Sequence, residues 1–227
     1  MKTYLIVGGS KGIGLSILKS LIQEHEVINL SRNTPPVSHS KLTHIEIDIL
    51  TDDLPEIDSL DGLVYCPGSI NLKPMGNLLL DDFRTDLDIN FFGAVKTIQA
   101  YIPALKKSEN SSVVMFSSVA AKLGMPFHCS IAAAKGAVEG FVKSLGAELA
   151  PKVRVNAIAP TITNTDMASK LLRNEKMIDM MKDKHPLKKI LNPEEVGNLA
   201  SYLLSDKSNG ITGQVMTIDC GIVSFKM

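Results

Sequence analysis

Three sets of residues in this chain could do chemistry, and each is defined by spacing. The first is Gly8-x-x-x-Gly12-x-Gly14, with Ser10, Lys11 and Ile13 inside it. It lies between an apolar β run, Tyr4 to Val7, and a helical pattern through Leu15, Leu18, Leu21 and Ile22. Strand, glycine turn and helix is the setting of a dinucleotide fingerprint. Glycines let backbone amides approach phosphates, and the helix N-terminus favours negative charge. The second set is Lys11 with Ser31-Arg32, at the end of a second apolar run, Val27 to Leu30. An acidic residue there would bond a ribose 2′-hydroxyl, whereas a basic one accommodates a 2′-phosphate. The position carries no carboxylate, and a guanidinium suits a phosphate in bidentate fashion. The plainer alternative is two solvated surface cations. The third set is Ser118, Ile131 and Lys135. Ser118 follows the apolar run Ser112 to Phe116, and open α/β sheets place their ligands at that edge. Small and apolar residues at helical spacing from Ser130 to Leu149 put Ile131 and Lys135 on one helix face, one turn apart.

The elements that must position these groups alternate between strand and helix. After the strand ending at Arg32 come about ten residues with Pro35-Pro36 and no helical periodicity, which predicts a bare loop. A strand is expected over Thr43 to Ile49, then a stretch from Thr51 to Ser59 long enough for about two helical turns. Leu63 to Tyr65 reads as the fourth strand and ends at Cys66-Pro67-Gly68. A long helical segment runs from Asp81 to about Lys107, interrupted by Gly93 and with Pro103 toward its end. Val153 to Ile158 is a sixth strand, followed by Ala159-Pro160-Thr161-Ile162-Thr163-Asn164-Thr165. Asp166 to Lys189 is rich in Met, Lys and Leu. Its methionines suit either an adaptable apolar surface or simple helix packing. Asn192-Pro193 marks a helix start, and Val215 to Asp219 supplies a last strand.

These motifs together resemble the short-chain dehydrogenase/reductase family, and within it the bacterial beta-ketoacyl-acyl-carrier-protein reductases. The resemblance covers essentially all 227 residues. It implies an α/β fold, one doubly wound Rossmann domain over residues 1–227 with a mostly parallel seven-stranded sheet. It also implies NADP(H) rather than NAD(H), because Lys11 and Arg32 match the family's basic pair. Cofactor contacts carried over are Gly8, Ser10, Lys11, Gly12, Ile13, Gly14, Ser31, Arg32, Asp48, Ile49, Cys66, Gly68, Asn90, Lys135, Ile162 and Thr165. Asp48-Ile49 matches the pair at the adenine, and Ile162 and Thr165 match the residues at the nicotinamide amide. Val7 replaces a usual Thr, Cys66-Pro67 replaces Asn-Ala, and Thr161 replaces a Gly.

In the family, catalysis uses an Asn, a Ser, a Tyr thirteen residues after the Ser, and a Lys four further on. Asn90, Ser118 and Lys135 match, but the tyrosine position holds Ile131. Reducing a ketone needs a hydride on carbon and a proton on oxygen. The family's Tyr gives that proton, Lys lowers the Tyr pKa and holds the ribose, Ser bonds the substrate oxygen, and Asn completes a relay through water. Isoleucine has no proton to give, and losing a general acid costs roughly 10²–10⁴ in rate. Four readings stand. Water, Ser118, His128 or Ser130 supplies the proton in an active reductase. The chain is a catalytically silent subunit or sensor that binds NADP(H). Ile131 is an engineered change in an active parent. The site has turned to another reaction, such as elimination or isomerisation.

Composition bounds the rest. Hydrophobic residues make up 44% and charged residues 21%, as in an ordinary globular protein. Lys+Arg and Asp+Glu are both 24, which argues against nucleic-acid or anionic-membrane partners. No apolar run reaches the ~18 residues of a membrane span. Cys66, Cys129 and Cys220 are widely spaced in apolar company, so reduced, buried thiols in a cytoplasmic protein are expected. No metal-binding spacing occurs. The expected partners are a small-molecule or acyl-thioester carbonyl substrate and further copies of the chain. The family's usual tetramer or dimer is compatible with the Ala/Gly-rich helix face from Ala132 to Gly146.

Overall fold

The computed structural model describes residues 1–225. Seven strands form one sheet: β1 (Thr3–Val7), β2 (Glu26–Ser31), β3 (Leu42–Glu46), β4 (Gly62–Tyr65), β5 (Ser111–Phe116), β6 (Val153–Pro160) and β7 (Val215–Ile218). Their order is β3-β2-β1-β4-β5-β6-β7, and every pairing is parallel. The expectation of a mostly parallel sheet is thus met in full. A parallel sheet is covered on both faces, so its central strands read as continuous apolar runs such as Leu63-Val64-Tyr65 and Val113-Val114-Met115. Alternation along β1 divides the core. Leu5 and Val7 enter one apolar cluster with Tyr65, Val113, Ile98 and Val142, while Tyr4 and Ile6 enter the other with Ile17, Val114, Val196 and Leu203.

The helices are α1 (Gly12–Leu21), α2 (Leu80–Leu87), α3 (Gly93–Lys107), α4 (Cys129–Leu149), α5 (Glu175–Asp183) and α6 (Pro193–Leu204). The long segment expected from Asp81 to Lys107 is α2 and α3 joined by a π turn at Asp88–Phe92. Its cause is local. A π turn releases a backbone carbonyl, and the Tyr65 hydroxyl donates to Ile89 O at 2.7 Å. A Cβ at Gly93 would lie 2.2 Å from that hydroxyl oxygen, so only glycine fits beside it. The bare loop expected after Arg32 is present.

Two expectations fail. The stretch Thr51 to Ser59 contains no helix. A turn at Asp48 to Asp52, closed by Thr51 N–H and Asp52 N–H to Asp48 O, leads instead into an irregular strap. Leu54 and Ile57 on this strap pack on the first cluster, and Pro55 O accepts the Tyr101 hydroxyl at 2.8 Å. Pro55 disfavours the helical conformation of the residue before it, and the apolar side chains cover the sheet without a helix. The thiols are also not all buried. Cys220 is, but Cys66 is half-buried and Cys129 is exposed.

Asn192 begins α6 in a reciprocal cap with Glu195, as its sequence predicts. In the Met-rich segment α5 has no buried residue, which favours an adaptable surface over helix packing. No helix is long and apolar enough to cross a membrane, and among the described residues no cluster could hold a metal ion.

Candidate active site and cofactor crevice

The strand order reverses between β1 and β4, and a crevice opens at their C-terminal ends, where doubly wound sheets bind ligands. The glycine loop forms one wall. Gly8 N–H donates to Leu30 O at 2.8 Å, and Gly9 N–H donates to the buried Asn29 Oδ1 at 2.8 Å. Asn29 in turn donates to Ser31 Oγ at 2.9 Å, so the end of β2 and the loop are fixed together. Gly8 has φ +83° and Gly12 φ +56°, a region that favours glycine. A Cβ at Gly14 would meet Gly8 O at 2.2 Å. The first turn of α1 carries no acidic residue and no side-chain cap, which leaves its amides open to an anion.

A cavity of about 280 Å³ runs from this loop across the sheet edge. Of the residues singled out in the sequence, Gly8, Ser10, Lys11, Gly12, Ile13, Gly14, Ser31, Arg32, Asp48, Ile49, Cys66, Gly68 and Thr165 line it. Arg32 Nη1 lies 3.9 Å from Asp48 Oδ2, and Lys11 Nζ lies 3.7 Å from Asp166 Oδ2. Both cations are largely exposed at the rim, each facing a carboxylate that sequence reasoning did not pair with it. Met167, also in the lining, reaches over the crevice, with its Cε 3.3 Å from where a Cβ on Gly68 would stand.

Asn90, Ser118, Ile131, Lys135 and Ile162 lie outside this lining. Asn90, on the π turn, donates through Nδ2 to Asp86 O at 2.8 Å and to Ser69 Oγ at 3.0 Å. Its Oδ1 is buried without a partner and faces the Gly68 backbone. An unpaired buried acceptor costs about 1–3 kcal/mol, so this oxygen marks a place prepared for a donor. Lys135 is 8% exposed, and its Nζ donates to Phe116 O at 2.8 Å. Burial pushes its pKa down from 10.5 to about 8, opposed by the negative charges of Asp86 and then Cys66. Burial also pushes the Cys66 thiol up, with Lys135 acting against it.

Ile131 is 3% exposed yet belongs to neither apolar cluster of the sheet. Ser118 is half-buried, and its Oγ accepts Ala120 N–H at 3.2 Å, leaving its own proton uncommitted among the described residues. The other two local groups are committed. Ser130 donates to Asp86 Oδ2 at 2.7 Å, and His128 Nδ1 lies 2.7 Å from Pro126 O, to which it donates. Ile162 contributes its backbone, whose O accepts Leu191 N–H at 3.2 Å.

Sequence reasoning missed Asp86. It has no exposed surface and takes bonds from Ser69 (2.6 Å), Asn71 (3.2 Å) and Ser130. A signal existed: Asp86 stands four residues before Asn90, on the same helix face. Among Asp81, Asp82 and Asp88 it reads as one more surface charge. Ser117 to Glu139 (2.8 Å) and Thr161 to His185 Nε2 (2.7 Å) are further buried contacts with no sequence signature.

The crevice, the glycine loop and the Lys135 helix recur in known proteins. Residues 47–223 match the family described as "Enoyl-(Acyl carrier protein) reductase". The "3-oxoacyl-[acyl-carrier-protein] reductase FabG" of Chlamydia muridarum is 28% identical over 245 residues, covering 97% of each chain. The ligand-free aldohexose dehydrogenase of Thermoplasma acidophilum superposes with a TM-score of 0.90 at 27% identity, over 99% of this chain and 95% of that one. A structure titled "ElxO with NADP Bound" matches with a TM-score of 0.88 at 25% identity, over 99% and 100% of the two chains. With most of its length matched by the family and its sheet order intact, the chain belongs to the short-chain dehydrogenase/reductase family.

Proposed function

We propose that this chain, a single NAD(P)-binding domain over residues 1–227, is a cytoplasmic NADP(H)-dependent oxidoreductase. It interconverts a carbonyl and a hydroxyl on a beta-ketoacyl-type or related small substrate. The observation that carries this reading is the crevice, in which the Gly8–Gly14 loop and the open N-terminus of α1 face Lys11 and Arg32. The residues fit a dinucleotide: the loop has no room for a Cβ at Gly14, and its amides are not taken by a side-chain cap. Gly8, Ser10, Gly12, Ile13 and Gly14 would hold the pyrophosphate, Lys11, Ser31 and Arg32 the 2′-phosphate, and Asp48 and Ile49 the adenine. Cys66, Gly68, Asn90, Lys135, Ile162 and Thr165 would hold the nicotinamide riboside. NADPH, when bound, supplies a hydride to the carbonyl carbon.

The chain's own groups do the rest. Ser118 offers an uncommitted hydroxyl proton to hold the substrate oxygen. Lys135 is fixed by Phe116 O with its charge partly destabilised. Ile131 occupies the position where the family resemblance places a tyrosine, so proton delivery to oxygen is rerouted there. The exposed Gly136 and Gly140 on α4 have no atom within 4 Å of an added Cβ, which supports close approach of a second copy of the chain on that face.

The test is NADPH consumption with a panel of ketones and acetoacetyl thioesters, comparing the chain with Ile131→Tyr. Both forms are expected to bind NADPH and to turn over, with the tyrosine form faster by on the order of 10², the worth of a placed general acid. NADPH binding without turnover in either form would return the chain to a silent binding subunit. Absence of NADPH binding would sink the proposal.

A further inference from the structure

The Asp86 cluster has no evident structural necessity. A carboxylate without exposed surface, bonded by Ser69, Asn71 and Ser130, sits where α2 meets α4. All three partners donate, so the site is built to hold an ionised carboxylate, which can only accept. Buried charges persist where they are paired. The buried cation on the facing helix is Lys135, one turn beyond Ile131 and five residues beyond Ser130.

We propose that Asp86 is a positioning residue that holds Lys135 as an ammonium, so that Lys135 gives the substrate its proton in place of the absent tyrosine. This rests on the reductase reading above. When the carbonyl carbon gains a C–H bond from the hydride, NADPH is oxidised and the ketone reduced. The carbonyl oxygen then takes a proton through water from Lys135, whose N–H bond breaks, and solvent reprotonates the resulting amine. Asp86 does not donate: its carboxylate accepts from three groups, and Ser130 directs its own proton at it.

Other groups around Lys135 do not take this part. Glu139, on the same helix, accepts the Ser117 hydroxyl. Cys66, at the end of β4, has its thiol held neutral by burial. From β5 come the Phe116 carbonyl and the Ser118 hydroxyl, neither of which carries charge. Asn90 and Ser69 face Asp86 from the π turn and the loop after β4.

The experiment follows the Lys135 ammonium directly, by 15N NMR of lysine-labelled protein across pH 6–11, without substrate or cofactor. The wild-type Lys135 signal is expected to titrate near the lowered value of about 8. In Asp86→Asn its midpoint falls further, by about half a unit or more, as expected for loss of a nearby opposite charge. Asp86→Ser serves as a second uncharged variant should Asn not fold. With NADPH and an accepted ketone, the rate falls as pH rises through the Lys135 midpoint, and this limb moves with the NMR midpoint in the variant.

A wild-type midpoint at the ordinary lysine value overturns the proposal without any variant. So does an unshifted midpoint in variants that merely melt earlier, the signature of a structural role alone. If the wild type turns over no carbonyl, the proton-donor role falls together with the reductase reading. If it does turn over while the midpoint and pH limb ignore Asp86, the role falls alone.

Discussion

One methyl group at Gly14 probes the dinucleotide loop at its tightest point. In Gly14→Ala the new Cβ would lie 2.2 Å from Gly8 O, 3.0 Å from Gly8 C and 3.2 Å from Cys66 Cβ. The first two atoms are backbone, so no side chain can swing aside. Clearing the overlap means moving the Gly8–Gly14 loop by about 1 Å. Hydrogen bonds to phosphate are made at roughly 2.7–3.2 Å and weaken steeply beyond that, so such a shift removes one or two of them. Bonds to a charged group contribute about 1.5–3 kcal/mol each. A loss of about 3 kcal/mol corresponds to a Kd raised on the order of 10². The assay is NADPH fluorescence on titration, with circular dichroism to verify the fold. Gly124→Ala is the control, since nothing lies within 4 Å of its Cβ and its φ is not positive. Gly14→Ala binding NADPH within about threefold of the wild type, with the fold intact, would refute the reasoning.

The other predictions concern charge. Arg32→Ala should weaken NADPH on the order of tenfold and leave NADH nearly unchanged, because the guanidinium serves only the 2′-phosphate. Paired titrations of the two cofactors check this, and equal losses for both would contradict it. Lys135 supplies a stability test. It binds its proton less tightly in the folded chain, with its pKa lowered from 10.5 to about 8, than in the unfolded one. Between those values the unfolded chain holds more protons, so this group makes stability rise with pH across that window. Thermal melts at pH 7.5 and 9.5 should show the wild type gaining on Lys135→Met as pH increases. A constant difference between the two proteins would mean that Lys135 titrates normally.

Much of the site was legible because its signals are local. Gly8, Gly12 and Gly14 stand between a period-two run and a 3.6-period run, and that order dictates strand, tight turn and helix N-terminus. Asn192-Pro193-Glu194-Glu195 likewise fixes a helix start from four adjacent residues. The strap from Thr51 to Ser59 was less legible. Its length allows two helical turns, but Pro55 and the burial of Leu54 and Ile57 decide for irregular chain. The π turn depends on a hydroxyl from β4, more than twenty residues before Ile89. Cys129 shows the limit from the other side, since apolar neighbours in sequence did not make it buried.

The sequence by itself determined the family, the alternating strands and helices, the phosphate loop, and the face shared by Ile131 and Lys135. All of these follow from neighbours within a few residues. Only the tertiary structure decided which polar groups meet in the interior. Asp86 is one of several acidic residues along α2 until helix packing removes it from water and sets it opposite Lys135. Ser130 and His128 are equal candidates on paper, and folded hydrogen bonds commit both. Periodicity tells which way a side chain points, but charge and proton traffic depend on what stands across the gap, and in this chain that partner lies on another element.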